Sequence, residues 1–114
     1  MLPRHARLTS PNDFARATKS GHRLTSKSLV LYFYAGAEVH PARFGLIIGK
    51  SVGGSVVRHR VARQIRHSLR EYVSNFPTGS LVVVRALPNS TKADIQDELK
   101  KAIPRILEKS TASK

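Results

Sequence analysis

Five arginines, Arg58, Arg60, Arg63, Arg66 and Arg70, crowd into one short stretch of the chain, with His59 and His67 among them. A guanidinium presents a rigid fork of N–H donors that matches two phosphate oxygens at once, which an ammonium cannot do. The chemistry on offer is therefore recognition of a polyanion. Between Glu38 and Glu71 there are seven Lys or Arg residues and no Asp or Glu. A solvated helix face usually alternates its signs, because opposite charges a turn apart support each other and like charges repel. A row of one sign costs the isolated fold something, and its clearest use is a nucleic-acid surface.

The element that must carry the row is a helix. At about 100° per residue, Val57, Val61, Ile65, Leu69, Tyr72 and Val73 share one sector, while Arg60, Arg63, Arg66, Arg70, His59 and His67 share the other. Arg58 falls within the apolar sector, so either the first turn is irregular or its stem lies along the core with its head emerging at the helix start. Gly53 and Gly54 precede the helix and suit a tight turn with free backbone N–H groups at the entrance, a natural phosphate contact. Gly49-Lys50-Ser51 resembles the end of a phosphate-binding P-loop, but that motif needs a glycine at position 44, where the chain has Phe44. A nucleotide site is rejected.

No catalytic constellation is legible. The five histidines, His5, His22, His40, His59 and His67, lack metal-ligand spacing, and the seven carboxylates are scattered. No nucleophile-elbow pattern surrounds any serine. Catalytic residues are expected to be none and metal ligands none, so any catalysis must come from a partner.

The 114 residues fit one domain with one core. A formal net charge of +13 points to nucleic acid first and an anionic membrane surface second. Apolar runs at 29–37 and 81–84 are too short to span a bilayer. No secretory leader is recognisable, and cysteine is absent, consistent with a cytoplasmic protein.

In chain order, residues 1–9 read as a loose basic arm. Ser10, Pro11 and Asp13 predict a capped helix over 11–19, ended by Gly21, with Phe14 as its one large apolar residue. Phe14 reads as core rather than as a stacking platform. Residues 22–27 suggest an edge strand and 28–35 a clear strand. Leu29, Leu31 and Phe33 point one way, and Val30, Tyr32 and Tyr34 the other, where tyrosines could stack on bases. A turn over 36–41 leads to a strand over 43–50. Its second face, Arg43, Gly45, Ile47 and Gly49, would let a ligand backbone come close. Residues 81–86 form an internal strand. A last helix, capped by Ser90 or Thr91, runs to about residue 108 with balanced charge and a kink expected at Pro104. Residues 110–114 read as a flexible tail.

The run from Arg43 to Arg66, with its strand, glycine turn and arginine helix, resembles the signature of the bacterial ribonuclease P protein subunit. Arg7-Leu8, Asp13-Phe14, Leu29-Val30-Leu31-Tyr32 and residues 82–88 match as well, so the resemblance covers about residues 7–107. It departs at His59 and at Gly54-Ser55, where the family usually has Asn and Asn-Ala. It departs again at Ser51 and Ala62, where Lys is frequent, and at Thr18, where an aromatic is common. The resemblance implies an α/β (α+β) two-layer sandwich. About four strands and three helices would be joined by a left-handed crossover into the basic helix, as in a known ribosomal-protein domain. It further implies binding to a large catalytic RNA that cleaves the 5′ leader from precursor tRNA, with Mg²⁺ held mainly by RNA. Neither a membrane nor an obligatory protein partner is implied. The expected RNA-subunit contacts are Lys50, Ser51, Gly53, Gly54, Arg58, His59, Arg60, Arg63, Arg66 and Arg70. The expected leader cleft comprises Phe14, Tyr32, Tyr34, Arg43, Arg63 and Arg66, which makes Phe14 a cleft residue after all. A structural RNA-binding protein of ribosomal type is the second reading, and nonspecific DNA compaction the third.

Overall fold

The computed structural model describes residues 6–36 and 40–112. The chain runs α1 (Pro11–Ser20), β1 (His22–Thr25), β2 (Leu29–Ala35), β3 (Arg43–Ile48), α2 (Ser55–Leu69), a 3₁₀ turn (Arg70–Asn75), β4 (Ser80–Ala86), a second 3₁₀ turn (Pro88–Lys92) and α3 (Ile95–Ala112). The four strands order as β1-β2-β4-β3. β2 pairs antiparallel with β1 and β4, and β3 lies parallel to β4 with α2 as the crossover. β4 is internal, as its unbroken apolar run requires.

Strand alternation divides the apolar residues between two layers. Leu29, Leu31, Phe33, Phe44, Val82 and Val84 join Val61, Ile65 and Leu69 of α2 and Leu99, Ile103 and Ile106 of α3 in the main core. Val30, Tyr32, Leu81 and Val83 face the other way and meet Leu8 and Ala17. Helix α1 thus adds a smaller third layer to the expected two-layer sandwich. Phe76, in a stretch that breaks the helical pattern, is buried edge-on against Phe33 and Phe44, with ring centroids 5.2 and 5.4 Å away. Such aromatic pairs add about 0.5–1.5 kcal/mol each beyond area burial.

Several local expectations are corrected. Within the expected loose arm, Ala6 and Leu8 are buried, and the Leu8 N–H donates to the Phe44 carbonyl at 2.8 Å. Apolar contact with the sheet outweighs the basic character of the segment; residues 1–5 lie outside the described part, as does 37–39 of the 36–41 turn. Ser10 stands at the N-cap of α1 without a side-chain cap bond, and the Asp13 carboxylate pairs with Arg16 (3.9 Å) and Arg43 (4.0 Å). Helix α3 is capped by Asp94, not Ser90 or Thr91: its Oδ1 accepts the Asp97 N–H at 3.1 Å. Ser90 and Thr91 belong to the preceding 3₁₀ turn. The helix continues through Pro104 to Ala112, into the expected tail; residues 113–114 lie outside the described part.

Candidate RNA interface

The turn before α2 is built by backbone bonds, from the Val52 N–H to the Gly49 carbonyl (3.1 Å) and from the Gly53 N–H to the Lys50 carbonyl (3.2 Å). The Gly53 N–H is therefore engaged, not free as expected. Gly53 adopts φ +154°, and a Cβ there would meet Val57 at 2.9 Å, so conformation and space both require glycine. Gly54 is the N-cap, no side chain caps the first turn, and no acid lies in it. Lys50, Ser51 and Gly54 are exposed at this entrance.

Along α2, Val61, Ile65 and Leu69 are fully buried. His59, Arg60, Arg63, His67 and Arg70 are exposed. Regular helix ends at Leu69, and Arg70 opens the 3₁₀ turn, still pointing to solvent. Arg58 and Arg66 differ from the row: both are half-buried and flank Ala62 on the side facing β3. The helical wheel places Arg66 among the solvent-facing residues because it cannot show a neighbouring strand. For Arg58, the expected burial of the stem holds, and its Nε is buried without a hydrogen-bond partner.

The expected leader cleft is divided by the sheet. Phe14, Tyr32, Tyr34 and Arg43 gather on the α1 face. Arg63 and Arg66 belong to α2, whose apolar stripe packs on the opposite face, so they do not join the other four. Within the α1 face the roles also shift. Tyr32 is only 8% exposed, with little ring surface left for stacking. Tyr34 is half-buried and lines a hollow of about 200 Å³ with Asp13, Arg16, His40 and Leu81. Phe14 is half-buried, and its ring lies against Gly45, where a Cβ would come within 2.5 Å of it. The close approach that Gly45 allows is therefore used by Phe14 and Leu8, not by a ligand. One cation was missed. Arg85 is the sole exposed residue of β4, between Val30 of β2 and Ile47 of β3, and no ion pair among the described residues reaches it. Its signal was the strand period, which puts residue 85 on the face of Leu81 and Val83.

The described residues contain no group of three or more His, Cys, Asp or Glu that could hold a metal ion. The acids have other tasks: Asp97 pairs with Lys101 at 3.1 Å, and the Glu98 carboxylate accepts the Ser28 N–H at 2.9 Å and hydroxyl at 2.6 Å. No helix among the described residues is long and apolar enough to cross a membrane.

A mixed sheet with a one-signed arginine helix in one layer and half-buried aromatics in the other defines an RNA-binding α+β protein. The comparisons with known proteins are specific. The family model described as Ribonuclease P matches residues 2–110. The ribonuclease P protein component of Streptomyces avermitilis is 41% identical over 118 aligned positions, covering 94% of this chain and 96% of that protein. Its counterpart in Mycobacteroides abscessus is 38% identical, with 92% and 90% covered. The solved RNase P protein of Staphylococcus aureus superposes with a TM-score of 0.77 at 23% identity, covering 92% of this chain and 94% of that one. That of Thermotoga maritima gives 0.74 at 22% identity, covering 88% and 96%. The chain belongs to the ribonuclease P protein family. It is the protein subunit of a ribonucleoprotein endoribonuclease that matures tRNA 5′ ends, and its partner is the ribonuclease P RNA. The ribosomal-type reading finds no support.

Proposed function

We propose that the chain meets its two RNAs on opposite layers of the sheet. Helix α2 docks on the RNA subunit through His59, Arg60, Arg63 and Arg70, with Lys50 and Ser51 at its entrance. The α1 face takes the single-stranded 5′ leader of precursor tRNA. The observation that carries this reading is the asymmetry of the layers: exposed cations without acids on α2, and half-buried Phe14 and Tyr34 with Arg43 and Arg85 on the other side. Base stacking on an aromatic is worth about 1–3 kcal/mol and tolerates any base, which suits leaders of varied sequence. The guanidinium groups beside the rings supply phosphate contacts.

Hydrolysis belongs to the RNA in this reading. Mg²⁺ held by that RNA would supply the activated water. Among the described residues no group of three or more His, Cys, Asp or Glu could hold the ion, and Asp13, Asp94, Asp97 and Glu98 are engaged in ion pairs, a helix cap and the Ser28 contact. The protein contributes by holding the leader and screening the phosphates that must approach one another. The particle works in the cytoplasm.

The test is reconstitution with a bacterial ribonuclease P RNA and cleavage of precursor tRNA at low Mg²⁺. The expected result is 5′ cleavage strongly stimulated by the protein, with tighter binding of a long-leader substrate than of one trimmed to a one-nucleotide leader. Equal stimulation and equal affinity for both substrates would refute leader recognition.

A further inference from the structure

The half-buried pair Arg58 and Arg66 has no place in the exposed row, and its surroundings are unlike the rest of α2. The two arginines stand one turn either side of Ala62 and, with Leu46 and Ile48 of β3, Ser55 and His59, line a groove of about 270 Å³. No acid lines it. Leu46, Ile48 and Ala62 make apolar walls, while the Arg58 Nε is buried at its side with no partner. The sheet edge adds a further feature. β3 is an outer strand, and its Phe44 carbonyl turns outward to accept the Leu8 N–H. Backbone direction alternates with period two, so Leu46 and Ile48 also turn their N–H and C=O groups outward. The N-terminal segment bridges to β3 at Phe44, and among the described residues no turn or loop backbone bond reaches Leu46 or Ile48.

Apolar walls, in-plane backbone donors and acceptors and two guanidinium groups together match one kind of ligand. A flat heteroaromatic base fits between the walls, the strand edge reads its hydrogen-bonding edge, and the arginines take its phosphates. The geometry points to a pocket for a single unpaired nucleotide of the RNA subunit, splayed from its helix and inserted between β3 and α2. This rests on the reading of α2 as the RNA-subunit surface and adds to it a base-recognising subsite beside the phosphate-binding row. A peptide strand could also add to an open sheet edge, but the cationic, acid-free lining favours the polyanion.

The test is nucleotide-resolution chemical probing of a bacterial ribonuclease P RNA, free and with the full-length protein, using wild type, Ala62→Leu, Arg58→Gln and Arg63→Ala. Ala62→Leu fills the groove and removes no charge. It is expected to lose protection of one unpaired nucleotide, to lower affinity about tenfold, and to shallow the salt dependence only by the phosphate contacts of that one nucleotide. Arg58→Gln, which keeps a polar side chain of similar reach, should expose the same nucleotide, so the inference stays testable if the leucine variant misfolds. Arg63→Ala should weaken binding and shallow the salt dependence while that nucleotide stays protected. Identical footprints for wild type and both groove variants would overturn the groove alone. Wild-type protein that protects no nucleotide would overturn the functional reading beneath it. Concentration-dependent dimers abolished in Ala62→Leu, with no change in footprint, would assign the edge to protein pairing and overturn the nucleotide.

Discussion

Tyr32 and Tyr34 are two residues apart on the same face of β2, yet the structure separates their roles. Tyr32, under α1, is nearly closed off, whereas Tyr34 near the strand end keeps part of its ring open. Tyr32→Ala should therefore behave as a core truncation, costing about 3–5 kcal/mol of stability as large aromatic deletions do. Tyr34→Ala should leave the thermal midpoint within a few degrees and weaken binding of long-leader precursor tRNA by about 1–3 kcal/mol, with mature tRNA unaffected. Calorimetry and substrate-binding titrations read the two effects. The reverse pattern would make Tyr32 the stacking residue. Glu98 illustrates the same principle on α3. Its sequence neighbours suggest a charge-balanced solvent face, but its carboxylate is buried and satisfies both the N–H and the hydroxyl of Ser28, 70 residues away. Glu98→Ala would leave the buried Ser28 N–H unpaired, and a loss of about 1–3 kcal/mol is expected. Urea unfolding measures it, and RNA affinity of the folded variant should not change.

At the scale of elements, α2 does two jobs with three stripes. Val61, Ile65 and Leu69 hold it to the sheet, the exposed arginines face outward, and Arg58, Ala62 and Arg66 border the edge strand. Because Arg60 and Arg63 are exposed, replacing both with Ala should hardly move the unfolding midpoint. Removing each bidentate guanidinium–phosphate pairing should cost about 1–3 kcal/mol of RNA-subunit affinity. The slope of log affinity against log salt should also become shallower, by about 0.9 for each duplex phosphate no longer neutralised. Filter binding across a salt series measures both quantities. A collapse of stability with RNA affinity intact would make these arginines structural. Gly53 provides the complementary case: Gly53→Ala should destabilise the turn through its positive φ and its closeness to Val57.

For the whole molecule, the prediction is negative and sharp. The purified protein, freed of RNA by nuclease treatment, should not cleave precursor tRNA in Mg²⁺, since among the described residues no group of three or more acids or histidines could position a metal-bound water. Specific 5′ cleavage by protein alone would contradict this. A net charge of +13 with acids withheld from α2 makes the protein an electrostatic partner for RNA.

The sequence by itself determined the strands, the order of the helices and the polyanionic nature of the partner, because these rest on local periodicity and on charge. It did not determine the start of α3 at Ile95 or the 3₁₀ turn that follows α2 at Arg70. β2, β3, β4 and the apolar stripe of α2 all lie where alternation and the helical period require. Which face each element meets depends on contacts between residues far apart in the chain, and only the tertiary structure decided that. Phe76 looks like a loop residue until Phe33 and Phe44 close around it. Gly45 looks open until Phe14 lies across it. Arg63 and Arg66 could be joined to Tyr34 in the sequence, but α2 packs on the main core, and a four-stranded sheet stands between them. The periodic pattern of a helix says which side is apolar; it does not say which side of the sheet will receive it.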